Sequence, residues 1–480
     1  MADYIRNKVF SGLIWSFAEK IGSQGIGFVV TMVLARLLMP EQYGLIAMLT
    51  IVMTLCGCLV TCGFSVSLIQ KKDADDLDFN TTLYCSTFLG IVLYIILFVC
   101  APFVALFFKQ PDLTLLTRVY TISLLWSGYN STLVAYISKH MQFRKMFVRT
   151  VIANVISGIV GILMACQGFG VWALVAQNFT SSIVGVIALQ FSVEWRPRLK
   201  FAWSRAKALM SFSLNVTAAD FIGCVFNELR GLLIGKFFTP ADLALYNKGC
   251  HLPQLISNNI EGSLGAVLFP AMSQINDDKE RVRQMLSKSM RLSSYVMFFF
   301  LGTMLVVAEP LIRILFTERW IGCVPYLQFM CLGKMLSIVS NANLQALKAI
   351  GEGKALLKLE IYKKPVFLLM AVIGTYLGTF ALAATIPLYT VYAAFVNMKP
   401  NKKFLSYEIK NQLLDLLPAT VLFLLMFMMI SPLNSLLMPD VWKILLQVAG
   451  CAIVYIGISY VFKLDSLIYI MNIVRKKECK

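Results

Sequence analysis

Nine charged residues sit inside long apolar runs of this chain: Glu19, Lys20, Arg118, Asp220, Glu228, Arg230, Lys248, Glu261 and Lys334. A charge facing hydrocarbon at mid-bilayer costs about 2.5 to 3.5 kcal/mol on insertion scales, so these groups belong on faces that meet water, a partner or a polar ligand. Spacing shows where the faces lie. Asn247, His251, Gln254, Asn258, Glu261 and Gly265 follow at intervals of four, three, four, three and four, which is one side of a helix. Ser213, Thr217, Asp220, Cys224, Asn227 and Gly231 repeat those intervals, and Ser16, Lys20, Ser23, Gly27 and Thr31 follow at four, three, four and four. Lysine and arginine bind phosphate oxygens by charge-assisted hydrogen bonds. A wet chamber holding Lys20, Arg118, Arg230, Lys248 and Lys334 would therefore suit an anionic, phosphate-bearing substrate. Glu19, Ser23, Asp220, Asn227, Glu228, His251, Gln254, Asn258 and Glu261 would form its polar lining.

The same residues also fit a structural role as polar contacts between packed helices, acids neutralising bases. Arg118, Arg230 and Lys248 lie nearer the ends of their runs and are placed to snorkel to the interface. Catalysis finds less support. His140 and His251 are the only histidines, and no nucleophile–base constellation is evident. The twelve cysteines lack the density of a disulfide scaffold, with Cys56, Cys58 and Cys62 inside an apolar run. Gly351–Lys354 is too short for a phosphate-cradling loop. No cofactor or metal is expected, so energy would come from an ion gradient, of unspecified ion, or from the substrate's own concentration difference.

The elements that carry these faces follow from composition. With 480 residues, 58% hydrophobic and 14% charged, the chain is far from the roughly 25% charged residues of a soluble domain. Fourteen apolar runs are long enough to span: 11–34, 43–69, 79–108, 113–138, 150–167, 170–193, 208–234, 242–272, 292–308, 323–347, 359–378, 380–397, 411–431 and 444–462. Numbering the loops alternately puts 32 of the 43 lysines and arginines on the side of both termini and six on the other. Both termini are therefore expected to be cytoplasmic. Orientation and attraction to anionic headgroups account for the basic loops, and nucleic acid is not an expected partner.

Leu34–Leu45 (LARLLMPEQYGL) aligns with Ile234–Leu245 (IGKFFTPADLAL) at an offset of 200, and Ala101–Phe108 (APFVALFF) with Glu309–Phe316 (EPLIRILF) at 208. Six spans separate the first pair, so the copies share an orientation and a pseudo-two-fold along the membrane normal would relate them. The expected fold is an all-α polytopic membrane protein: two six-helix lobes, 1–193 and 208–397, joined by a basic linker at 194–207 and followed by two helices and a tail over 398–480. The stripes of the first, seventh and eighth spans would converge between the lobes.

On the fourteen spans and the elements Ala35–Gly44 and Ile234–Lys248, the chain resembles the bacterial polysaccharide transporter family. That family comprises lipid-linked oligosaccharide flippases of the multidrug, oligosaccharidyl-lipid and polysaccharide exporter superfamily. The resemblance implies a V-shaped inner-membrane protein that moves undecaprenyl-diphosphate-linked repeat units outward by alternating access, for surface polysaccharide such as O-antigen or lipopolysaccharide. It also implies membrane lipids, a polysaccharide polymerase and glycosyltransferases as partners. Lys20 and Arg230 match in type the cavity bases of such flippases. Similar proteins often carry an acid near position 230, from which Arg230 departs. Two other readings compete: a multidrug or cation antiporter of the same fold, favoured by the acids Asp220, Glu228 and Glu261, and a membrane-bound ligase or polymerase, for which the outward loops are too short.

Overall fold

The computed structural model describes the backbone of residues 2–71 and 74–478, and the side chains along it except 2–14, 16–17, 21, 62–64, 66, 69–70, 211–212, 215–216, 219 and 473–478. The described residues contain no strand. Their seventeen α-helices are α1 Ala2–Leu37, α2 Pro40–Gln70, α3 Asp76–Phe108, α4 Leu113–Tyr120, α5 Leu124–Lys139, α6 Phe143–Cys166, α7 Val171–Ser192 and α8 Trp203–Phe237, then α9 Pro240–Ser273, α10 Lys279–Val306, α11 Ala308–Phe316, α12 Val324–Ala349, α13 Gly353–Leu377, α14 Thr379–Leu405, α15 Ile409–Ile430, α16 Asp440–Val461 and α17 Asp465–Glu478. Hydrocarbon offers no partner to a backbone N–H or C=O, so an apolar run satisfies itself as a helix.

Among the described residues, nine helices are long and apolar enough to cross a bilayer, within α2, α3, α6, α7, α10, α12, α14, α15 and α16. The helix α9, 34 residues long, is not one of them, because its polar stripe dilutes the hydropathy. Several helices outrun their apolar stretches: α8 begins at Trp203 and α10 at Lys279, since the backbone keeps its helical hydrogen bonds while the side chains change from lipid-facing to headgroup-facing. The run 113–138 is interrupted by a 3-10 turn at Thr121–Ser123. The tail contains α17.

By internal packing the chain divides into Met1–Ala244 and Leu245–Lys480. In the first unit α6 packs on α1 and α7, α2 on α5 and α8, and α3 on α5. Its core includes Leu68, Phe79, Leu83, Leu133, Ile137, Leu189 and Trp195. At the end bearing the basic loops, the fully buried Asp78 at the start of α3 accepts from Lys71 Nζ at 2.5 Å and Arg205 Nη1 at 3.3 Å. Nearby, Asn80 Oδ1 accepts the Arg198 N–H at 2.7 Å, and the Tyr84 hydroxyl donates to the Arg198 carbonyl at 3.1 Å. These bonds strap the basic stretch before α8 onto α3.

In the second unit α12 packs on α10 and α14, α13 on α14, and α15 on α10 and α16. Here Asp415 takes the equivalent part. It accepts from Arg291 Nε at 2.7 Å, from Ser287 Oγ at 2.5 Å and from the Tyr407 hydroxyl, while Arg291 also reaches Asp465 of α17 at 3.4 Å. Burial, and then the adjoining carboxylate, push the Tyr407 phenol up, so its proton stays in place to be donated.

The internal repeat is visible in the helix ends. α1 stops at Leu37 and α8 at Phe237; α2 starts at Pro40 and α9 at Pro240. The third residue of each new helix caps it: Gln42 Oε1 accepts the Met39 N–H at 3.0 Å, and Asp242 Oδ2 accepts the Thr239 N–H at 3.1 Å. The second repeat persists where its helices stop, for Lys109 and Thr317, 208 apart, both have positive φ, at 55° and 89°. The helices themselves differ, since Pro102 lies inside continuous α3 whereas Pro310 lies in the first turn of separate α11. Within the first unit Gly44 touches the start of α9, and a Cβ there would fall 1.8 Å from the Pro240 carbonyl oxygen.

Gly44→Ala should therefore lower stability by about 1 to 3 kcal/mol, read as a lower melting temperature in detergent. Gly223→Ala, whose Cβ would meet nothing within 4 Å, should not lower it; equal melting of both variants would refute the close contact. Asp78→Ala leaves two cations that can still reach water, so its expected cost is at the lower end for a broken buried pair, about 3 kcal/mol, seen in the same measurement.

Candidate functional site

The α9 stripe is held by the turn that starts the helix and by a close approach to α12, where a Cβ at Gly249 would sit 2.5 Å from the Cys323 carbonyl oxygen. From that anchor Asn247, His251, Gln254 and Asn258 project exposed, and Glu261 is half-buried. Glu261 accepts from the Ser337 hydroxyl and from Asn341 Nδ2 at 3.4 Å, and Asn341 Oδ1 in turn accepts from Gln345 Nε2 at 3.3 Å. Lys334, half-buried, begins the same face of α12, its carbonyl accepting from Ser337 Oγ at 2.8 Å. Ser337, Asn341 and Gln345 were not among the residues expected from sequence. Their spacing from Lys334, at three, four and four, is the same helical signal found on α9 and would have disclosed them. Lys248 lies off this network, with Nζ 5.5 Å from the Phe316 ring centre and 5.7 Å from that of Trp320.

In the first unit Lys20 is exposed on α1 while its neighbours bind α6: Glu19 Oε1 accepts from Thr150 Oγ1 at 3.1 Å, and Ser23 Oγ accepts from Asn154 Nδ2 at 3.3 Å. Glu19 and Ser23 thus join helices as well as lining a polar face. On α8, Asp220 and Asn227 are exposed and Glu228 and Arg230 half-buried. Arg118 of α4 lies 4.7 Å above the Phe98 ring and donates from Nε to the Phe98 carbonyl at 3.4 Å, an arrangement that holds its charge against α3. The exposed Thr50 and Thr61 mark a further polar edge on α2, each returning its hydroxyl proton to a carbonyl one turn back.

Two kinds of exposed surface result. Phe88, Val99 and Phe103 of α3, Leu163 of α6, Leu369 of α13 and Ile453 of α16 present bare apolar side chains suited to lipid. On α1, α8 and α9 the exposed residues include, beside apolar ones such as Val29, Ile222 and Val267, a lysine, an aspartate, amides and a histidine, which in hydrocarbon would each lose hydrogen bonds to water. A hydrated face carrying both signs of charge can exchange water for the hydroxyls and phosphates of a headgroup at little desolvation cost. Among the described residues, no group of three or more His, Cys, Asp or Glu could hold a metal ion.

Asn258→Cys in a cysteine-free background should react with a membrane-impermeant maleimide at least about tenfold faster than Leu369→Cys, because the thiolate forms in water and not in lipid. Comparable rates, followed by gel shift in intact membranes, would show α9 to be dry.

The family model described as "Polysaccharide biosynthesis protein" matches residues 33–325. The succinoglycan biosynthesis transport protein ExoT of Rhizobium meliloti (strain 1021) is 24% identical over 342 residues, 71% of this chain and 69% of that protein. The lipopolysaccharide biosynthesis protein WzxC of Escherichia coli (strain K12) is 24% identical over 406 residues, 82% of each. Among solved structures, the lipid II flippase MurJ in an inward closed conformation superimposes with a TM-score of 0.74 at 13% identity, covering 94% of this chain and 99% of MurJ. An inward-facing multidrug resistance MATE family transporter of the MOP superfamily gives 0.62 at 14% identity, over 82% and 98%. The fold is therefore that of this transporter class, and with more than half of its residues matched by the family model the chain belongs to the polysaccharide biosynthesis protein family.

Proposed function

We propose that the protein is a flippase, which carries an undecaprenyl-diphosphate-linked oligosaccharide across the bacterial inner membrane, from the cytoplasmic to the periplasmic leaflet, during surface polysaccharide biosynthesis. The observation that carries this reading is the pairing of wet, partly cationic helix faces on α1, α8, α9 and α12 with an apolar exterior. A lipid-linked sugar needs both: a polar path for the diphosphate and glycan, and a bilayer-compatible surface for the polyprenyl tail. The names of relatives engaged in succinoglycan transport and lipopolysaccharide biosynthesis agree with such a cargo.

In this reading Lys20 and Lys334 engage the diphosphate, and Asn227, Gln254, Asn258 and Glu261 exchange hydrogen bonds with sugar hydroxyls. The lobes 1–193 and 208–397 alternate the access of these faces, both termini lie in the cytoplasm, and an ion gradient or the cargo gradient supplies the drive. A polysaccharide polymerase and glycosyltransferases would consume and supply the cargo. The acids Asp220, Glu228 and Glu261 favour one competing activity, cation antiport.

Purified protein in vesicles should translocate a lipid-diphosphate oligosaccharide and leave a cationic dye such as rhodamine untransported; the reverse selectivity would sink the proposal in favour of antiport. Lys20→Ala and Lys334→Ala should each slow translocation by about tenfold, the loss of one charge-assisted hydrogen bond, with unchanged membrane insertion. A double variant with normal flux would remove these two lysines from the diphosphate site.

A further inference from the structure

At the end bearing the basic loops, α13 and α14 of the second unit enclose a groove of about 590 Å³. Lys354 and Lys358 reach it from α13, Lys399 and Lys403 from α14, and Glu352 is the sole carboxylate in its lining. Ion pairing among the described residues leaves this imbalance in place. The adjacent Lys363 and Lys364 share Glu360, at 2.5 Å and 3.9 Å, whereas none of the four groove lysines has an ion pair there. The walls are firm, because Leu359 and Val396 are buried in a cluster with Leu347 of α12. Tyr362 and Tyr392 line the groove with them, the Tyr392 hydroxyl donating to the Tyr362 carbonyl at 3.3 Å.

The groove is graded along the axes of its two helices. A helix rises 1.5 Å per residue, so Tyr362 lies about 12 Å deeper than Lys354 along α13. Beyond it the two helices expose Leu368, Leu369 and Leu388. Lysines at the mouth, tyrosines at interfacial depth and leucines below follow the order of a phospholipid's phosphate, glycerol and acyl chains. A free phosphate would use the lysines alone and leave the tyrosines and the apolar floor without a role.

We propose that this groove is a binding site for an anionic glycerophospholipid of the surrounding leaflet, its phosphate held by Lys354, Lys358, Lys399 and Lys403. It is independent of the transported cargo. A lipid seated there clamps the ends of α13 and α14 together.

The test uses the full-length protein, stripped of lipid in neutral detergent and titrated with phosphatidylglycerol or phosphatidylcholine, with bound lipid counted by native mass spectrometry. Wild type should retain phosphatidylglycerol preferentially. Lys358→Gln/Lys403→Gln should bind it about twenty-five-fold more weakly, at roughly fivefold for each lysine lost near an anionic headgroup. Lys354→Gln/Lys399→Gln provides a second pair, and melting temperatures without lipid establish that each variant is folded. Unchanged retention by a folded variant pair, or equal retention of phosphatidylcholine, overturns the proposal. Displacement of bound lipid by millimolar inorganic pyrophosphate, with no dependence on acyl chains, overturns the lipid assignment and points to a free-phosphate site.

Discussion

Water is absent from the hydrocarbon core of a bilayer, and every polar group carried into it has to find a partner or a wet face. That constraint governs this protein from backbone to side chain. It makes each apolar run a helix, sorts the side chains of each helix by direction, and sets the meaning of an exposed residue. An exposed Phe103 is in its proper solvent; an exposed Asp220 is not, unless the solvent there is water.

The polar groups answer the constraint in three ways. Some are neutralised outside the hydrocarbon, as Asp78 is by Lys71 and Arg205, and Asp415 by Arg291 with two hydroxyls. These knots fix the helix ends. Others join helices within the membrane: Glu19 to Thr150, Ser23 to Asn154, Glu261 to Ser337 and Asn341. The rest, Lys20, Asp220, Asn227 and the Asn247, Gln254 and Asn258 amides of α9, are exposed. A carboxylate has several acceptor positions, and Glu261 uses only some of them on α12.

The duplication gives this arrangement its economy. Breaks at Leu38–Met39 and Phe238–Thr239, each followed by a proline and a capping side chain, launch α2 and α9 in the same manner. Yet the second copy carries the richer stripe: α2 exposes threonines, whose hydroxyls are satisfied by their own helix, whereas α9 exposes the amides of Asn247, Gln254 and Asn258 and the His251 ring. The polar burden has shifted to one copy while the backbone plan is shared.

Much of this was legible in the residues alone. The number of charged residues, the lopsided loops and the 200-residue offset follow from side-chain chemistry and chain order, which need no coordinates, and the helical period alone places the polar residues of α8 and α9 on common helix sides, although Ser213 and Gly231 of the α8 set are buried. The α12 stripe carries the same period and was readable in principle. What periodicity could not decide was which neighbour each stripe meets. That Lys248 rests against Phe316 and Trp320, that Arg118 sits over Phe98, that Glu261 bonds to α12 while Lys20 stays open, and that four lysines of α13 and α14 line one groove are facts of distance between residues far apart in the chain. A sequence sets the side of a helix on which a charge emerges; only packing determines whether an aromatic ring, a hydroxyl or water is waiting there.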